Sequence, residues 1–95
     1  MYRYYLSSLA EDDVRRIWER IAVDNLSAAD RIIDRFTAAF DQLAIHPESG
    51  EEITHQTRAI RRVTVPPFVV YYRFAGGEVN IVRILHGSQQ WEDVL

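Results

Sequence analysis

The spacing of apolar residues changes once along this chain, and that change limits the fold more than any other feature. Up to His46 apolar residues recur at a period of about 3.6, the repeat that buries one face of a helix, and from Ile60 onward they alternate at a period of about 2, the repeat of a strand. Helical and strand patterns that follow one another without alternating predict segregated layers, an α+β fold. At 95 residues there is material for one modest core and too little for two, so residues 1–95 are read as a single domain.

Tyr2 to Leu6 is a short β-favouring run that stops at Ser7-Ser8. Ser8 and Glu11 have the spacing of a capping box, which predicts a helix from about Leu9 to Asp24. Val14, Ile17, Trp18 and Ile21 form its apolar stripe, with Trp18 as the expected core anchor. Glu11 to Arg15 and Asp12 to Arg16 have the spacing of supporting ion pairs on the wet side. Asp24-Asn25 interrupts the pattern, Ser27 with Asp30 suggests a second cap, and Ala29, Ile32, Ile33, Phe36, Ala39, Phe40 and Leu43 mark a second helix over about 27–46 that ends before Pro47. A link this short between two amphipathic helices implies an antiparallel helical hairpin.

Residues 47–58, PESGEEITHQTR, have no periodicity and read as a loop. Beyond it, Ile60 to Val65, Phe68 to Phe74 and Glu78 to Leu85 read as strands, with Pro66-Pro67 at one bend and Gly76-Gly77 at a tight hairpin turn. The layout is β-αα-βββ: an N-terminal strand and an antiparallel helical hairpin packed on one face of an antiparallel sheet.

Composition narrows the function classes. There is no cysteine, hence no disulfide, thiolate metal site or cysteine nucleophile, which fits the cytoplasm. The opening MYRYYLSSLAEDD lacks a basic segment followed by an apolar run, and no stretch reaches the roughly 18 apolar residues of a membrane span, so neither a signal peptide nor a membrane role is expected. The formal net charge of −3 argues against a broad nucleic-acid footprint, and no direct sequence-specific DNA binding is expected. All eleven basic residues are Arg, which suits bidentate pairing with carboxylates or phosphates. His46, His55 and His86 lie in different elements without ligand spacing, so neither a metal site nor a cofactor is expected. The acidic runs Glu11-Asp12-Asp13 and Glu48, Glu51, Glu52 read as a helix N-terminus and a solvated loop.

The remaining polar group rides on the apolar strands. Alternation in 78–85 puts Val79, Ile81, Arg83 and Leu85 on one face and Asn80, Val82, Ile84 and His86 on the other, while Arg61 and Arg62 point to opposite faces. Arginines with His86 and Tyr71 or Tyr72 have the chemistry to position a phosphodiester and move protons. The other reading pairs the arginines with helix carboxylates and ties His86 to backbone.

The segments YYLSSLAEDDVRRIWERIAVDN, AADRIIDRFTAAFDQLAIHPESG, IRRVTVPPFVVYYRF and VNIVRILHGSQQW, in that order and spacing, resemble the ParE branch of the ParE/RelE family of toxin–antitoxin pairs, of the plasmid-stabilisation type. The resemblance covers nearly the whole chain and implies the same hairpin-on-sheet fold. It also implies a toxin neutralised by a cognate antitoxin, expected to carry a ribbon-helix-helix domain. ParE-like members poison DNA gyrase and RelE-like members cut mRNA on the ribosome, and a shared fold does not choose between them. In the nuclease alternative Arg62 and His86 would be catalytic, but His86 is followed by Gly87 where that branch tends to carry Tyr, and the chain is acidic overall. The resemblance therefore implies a gyrase inhibitor that is not itself an enzyme, with Arg73, Arg83, Gln89, Gln90 and Trp91 as candidate contacts for partner or target. Trp91 is either an exposed anchor or folded back on the sheet.

Overall fold

The computed structural model describes all residues, Met1–Leu95. The chain order is β1 (Arg3–Leu6), α1 (Ser8–Ala22), α2 (Leu26–Ile45), β2 (Glu51–His55), β3 (Arg58–Val65), β4 (Phe68–Ala75), β5 (Glu78–His86) and a single turn, α3 (Trp91–Val94). The five strands form one sheet in the order β1-β5-β4-β3-β2. The α+β class and the helical hairpin on one sheet face are as the sequence predicts, with two corrections to the expected antiparallel sheet and 47–58 loop. β1 runs parallel to β5, so the sheet is mixed, and the expected loop at 47–58 contains the edge strand β2.

β2 carries no apolar alternation because it is specified by its neighbour. Glu51 faces Arg62 and Glu52 faces Arg61 across the pair, with ion-pair contacts of 3.0 and 3.4 Å. The turn to β3 places Gln56 and Thr57 at φ of 51° and 70°. Gly76 and Gly77, at φ of 60° and 73°, make the expected tight turn between β4 and β5.

Both helix caps lie one or two residues earlier than the sequence suggests. Ser7, not Ser8, caps α1: its N–H donates to Ile81 O at 2.9 Å, which extends the strand and keeps Ser7 out of the helix. Its hydroxyl oxygen accepts from Ala10 N at 3.0 Å and donates to Val82 O at 2.8 Å. Asn25, not Ser27, caps α2 by accepting from Ala28 N at 3.0 Å, and its own N–H closes α1 on Ile21 O at 2.9 Å. Asn25 is extended, at φ −158°, so it joins the helices without a left-handed residue.

The main core lies between α2 and the sheet. Ile32, Phe36, Phe40 and Leu43 of α2 bury against Val70 and Tyr72 of β4 and Val79, Ile81 and Ile84 of β5. α1 is less deeply set: Val14, Ile17 and Ile21 are half-buried, and Ala10 and Asp13 are its only buried residues. Trp18 is not the core anchor expected. It is half-buried and clips the hairpin from outside, its indole N–H donating to Asp30 Oδ1 at 3.0 Å.

Tyr72 fastens the chain leaving α2 to the sheet. Fully buried, its hydroxyl donates to Pro47 O at 2.7 Å and accepts from Gly50 N at 3.0 Å. A Cβ at Gly50 would sit 2.5 Å from that hydroxyl and 2.9 Å from Arg62 O, so glycine is required there by close approach. Burial is the main reason that the Tyr72 phenol is held above its ordinary pKa. Tyr72→Phe leaves the Gly50 N–H and Pro47 carbonyl without their buried partner, and a loss of about 1–3 kcal/mol in urea unfolding is expected. A loss below about 0.5 kcal/mol would show that water replaces the hydroxyl.

Candidate partner-contact site

Strand β5 departs from simple alternation. Tyr71 faces Arg83 while Tyr72 faces Ile81, so Val82 is an extra residue in a bulge. The bulge exchanges the faces beyond it: Val79, Ile81 and Ile84 lie under the helices, and Leu85 joins Ile60 and Tyr71 in a second cluster on the far side. The face assignment expected for Arg83, Ile84, Leu85 and His86 is corrected accordingly.

β1 pairs with β5 only as far as Ile81, so the outer edge of β5 beyond that point has no strand beside it. Asp13 of α1 takes that place. Its Oδ2 accepts from the Ile84 N–H at 2.9 Å and from Arg83 Nε at 2.8 Å, and its Oδ1 accepts from the other arm of the guanidinium at 2.9 Å. The side chains are 17% exposed for Arg83 and 9% for Asp13, so this is a nearly enclosed bidentate pair. Asp13 is therefore not part of a solvated acidic run, and Arg83 is engaged within the molecule.

The other candidates divide between the two faces. His86 lies on the helix side, its ring 5.8 Å from Phe68, which in turn packs edge-on to Phe36 of α2. Its Nδ1 accepts from Ser88 N at 3.1 Å and is 2.7 Å from Ser88 Oγ. Gln89 is beside it, its Oε1 accepting from His86 N at 2.9 Å, and Gln90 is exposed at the start of α3 with no side-chain cap.

Trp91 lies on the opposite face, folded back on the sheet. Its ring is 6.1 Å from Tyr71 and 5.4 Å from His55, and the Arg62 guanidinium carbon is 6.0 Å above it. Arg62 also pairs with Glu51, and that contact is the main cause holding the Glu51 carboxyl below its ordinary pKa. Arg61, on the other side of β3, donates to Glu48 O and Gly50 O. Arg73 is exposed, faces Asn80 across the strands and makes no ion pair. Arg62 and His86 are thus not brought together, whereas His86, Arg83 and Gln89 share one groove.

That groove, of about 640 Å³, runs between α1 and the end of β5. Arg16 and Arg20 of α1 rim it, over a floor that includes Ile17, Ile21 and Phe68. The sequence reading missed both arginines because it paired Arg16 with Asp12. Asp12 instead binds Arg15 at 3.1 Å, and Arg15 also reaches Glu19 at 3.4 Å. The available signal was the spacing itself, since like charges at i and i+4 on a helix are mildly unfavourable and call for a reason.

A helical hairpin across one face of a small mixed sheet is the fold this chain shares with chains of solved toxin–antitoxin structures. The chain superposes on a chain of the chromosomal ParDE toxin–antitoxin system of P. aeruginosa with a TM-score of 0.76 at 20% identity, covering 90% of this chain and 96% of that one. It also superposes on one of the RelBE2 toxin–antitoxin complex of Mycobacterium tuberculosis with a TM-score of 0.64 at 22% identity, over the same shares. Residues 4–91 match the family of ParE toxins of the type II toxin–antitoxin system parDE, and the chain belongs to that family. Toxin RelE2 of Caulobacter vibrioides is 39% identical over 81% of this chain and 85% of its own length, and Toxin ParE3 of the same organism is 29% identical over 79% and 76%. Relatives bearing the RelE and the ParE names are both similar to it, so the likeness defines a toxin and not its target.

The far-face geometry yields an expectation for the tail. Ile60, Tyr71 and Leu85 are at most 3% exposed, and Trp91 and Leu95 pack against them. Trp91→Ala should lower stability by about 1–2 kcal/mol, the share of a half-buried aromatic, and increase binding of a hydrophobic dye. No change in either would mean that the tail does not cover this face in solution.

Proposed function

We propose that this type II toxin inhibits DNA gyrase by a protein–protein contact in the cytoplasm, catalyses no reaction of its own, and is neutralised by an antitoxin of ribbon-helix-helix type. The observation that carries the reading is the separation of Arg62 and His86 on opposite sheet faces. Cutting RNA would require a phosphate clamp and a proton-transfer group at the same phosphodiester. Here Arg62, the clamp candidate, is occupied by Glu51 and Trp91 on the far face, and in the groove where His86 stands beside Arg16, Arg20 and Arg83 the single carboxylate, Asp13, is held by Arg83, so His86 has no second proton-transfer group with it. The acidic net charge of −3 also suits a protein target better than an RNA backbone.

In this reading the candidate contacts narrow to the exposed ones, Arg73, Gln89 and Gln90. Arg83 serves through Asp13, and Trp91 through the tail's attachment to the sheet. Two assays run side by side test the reading: supercoiling by purified gyrase, and cleavage of mRNA on translating ribosomes. Loss of supercoiling with intact mRNA is expected, unchanged by His86→Ala and reduced when residues from Ser88 onward are removed. Ribosome-dependent cuts that fall by about 10² or more in His86→Ala, with supercoiling untouched, would make the chain a nuclease.

A further inference from the structure

Exposed apolar side chains are concentrated at one edge of the sheet. Eight large ones reach solvent, and four of them, Met1, Tyr2, Tyr5 and Leu9, fall within the first nine residues. They flank β1, which has β5 on one side and no strand on the other. The two edges of the sheet are defended unequally. β2 presents Glu51 and Glu52, whereas β1 carries one charge, Arg3, and neither proline nor bulge.

The backbone of β1 is also open in part. The Ser7 N–H donates to Ile81 O, so Arg3, Tyr5 and Ser7 turn their backbone groups toward β5, and Tyr4 and Leu6 turn theirs outward. Tyr2 faces outward as well, but its N–H is taken by Ala44 O at 2.8 Å. The side chains of Tyr4 and Leu6 pack on the main core, which puts Tyr5 on the helix-free face, 44% exposed.

We propose that β1 pairs with β1 of a second copy, antiparallel across a two-fold axis at Tyr5, joining two five-stranded sheets into one. Tyr4 of each copy exchanges both backbone hydrogen bonds with Leu6 of the other. Tyr2 selects this register: an axis at Tyr4 would need the Tyr2 N–H and would drive Leu6 of the other copy into the end of α2. Tyr5 then meets itself in the non-hydrogen-bonded position, where Cα atoms are about 4.5 Å apart and the two rings stack. Arg3 lies opposite Ser7 of the other copy and beside its own Glu78, so no like charges meet at the axis.

The apolar residues around the strand identify the occupant as a second copy. Met1 and Leu9 stand four residues before and after Tyr5, so the axis brings Met1 and Tyr2 of one copy toward Leu9 of the other, next to the exposed Ile45. A two-fold contact requires one patch to complement itself in this way. The interface is small and of the transient class, so the dimer forms reversibly with concentration. None of these residues lines the groove beside α1, and the pairing is independent of the target proposed above.

Sedimentation of the full chain over a range of concentrations tests the pairing, with a monomer–dimer equilibrium as the expected result. Tyr5→Glu sets two carboxylates at the axis and should weaken association by about tenfold or more, while Tyr5→Phe should keep it. The chain has no cysteine, so Tyr5→Cys gives a clean trap. Its two Cα atoms fall within the range of about 4.4–6.8 Å that a disulfide spans, and an inter-chain disulfide should form on mild oxidation. Arg73→Cys, exposed on the same face but two strands from the axis, should not cross-link. Urea midpoints show that each variant is folded, and the cysteine trap decides if Tyr5→Glu is not. A chain that stays monomeric throughout overturns the proposal. So does a dimer that persists in folded Tyr5→Glu, or one that Tyr5→Cys does not trap. A wild-type monomer whose antitoxin binding is lost in Tyr5→Glu overturns it in favour of a strand added by the antitoxin.

Discussion

The Asp13 carboxylate answers a problem that the rest of the architecture creates. β1 is short, so β5 is left half unpartnered, and the bulge at Val82 then turns the Ile84 N–H toward that open edge, where it is buried. A buried N–H without an acceptor costs about 1–3 kcal/mol, and strand addition by another chain would be a liability. Asp13 supplies the acceptor from α1, and Arg83 neutralises the charge this brings under cover. Such a pair adds little over apolar residues of the same shape, but removing one partner alone costs about 3–5 kcal/mol, so once present it fixes geometry. What it fixes is the position of α1 over β5, and with it the line of Arg16, Ile17, Arg20 and Ile21 along the groove.

The sheet keeps two unlike faces as a result. One carries the helical hairpin, whose weight falls on α2 and the stripe from Ile32 to Leu43. The other has no helical layer and is covered locally by the tail, with Trp91 seated between His55, Tyr71 and Arg62. The two residues that the nuclease alternative would use, Arg62 and His86, are divided between these faces. A fold shared by toxins of the ParE and RelE names does not choose between their targets.

How much of this was legible in the sequence depended on whether the signal was local. The α2 stripe and the Gly76-Gly77 turn were legible because burial periodicity and left-handed backbone act on the residues that show them. β2 was not, because its pairing depends on Arg61 and Arg62, which lie some ten positions away and lend it no pattern of its own. The bulge was illegible too, since Val82 is an ordinary strand residue and only the register with Tyr71 and Tyr72 reveals it. Asp13 looked like one of three carboxylates at a helix N-terminus because its partner, Arg83, is seventy residues distant. The same distance hid the groove: an Arg16 that seemed paired with Asp12 is free once Arg15 takes that carboxylate.

Residue-resolved hydrogen exchange of the Ile84 amide tests most directly whether Asp13 organises this edge. In the native chain Ile84 should exchange as slowly as the amides at the centre of the sheet, by global unfolding, although no strand lies on that side of it. In Asp13→Ala, at matched global stability, Ile84 should lose protection by about tenfold or more while the β4 amides keep theirs. Rapid exchange of Ile84 in the native chain, or protection unchanged in Asp13→Ala, would contradict the account.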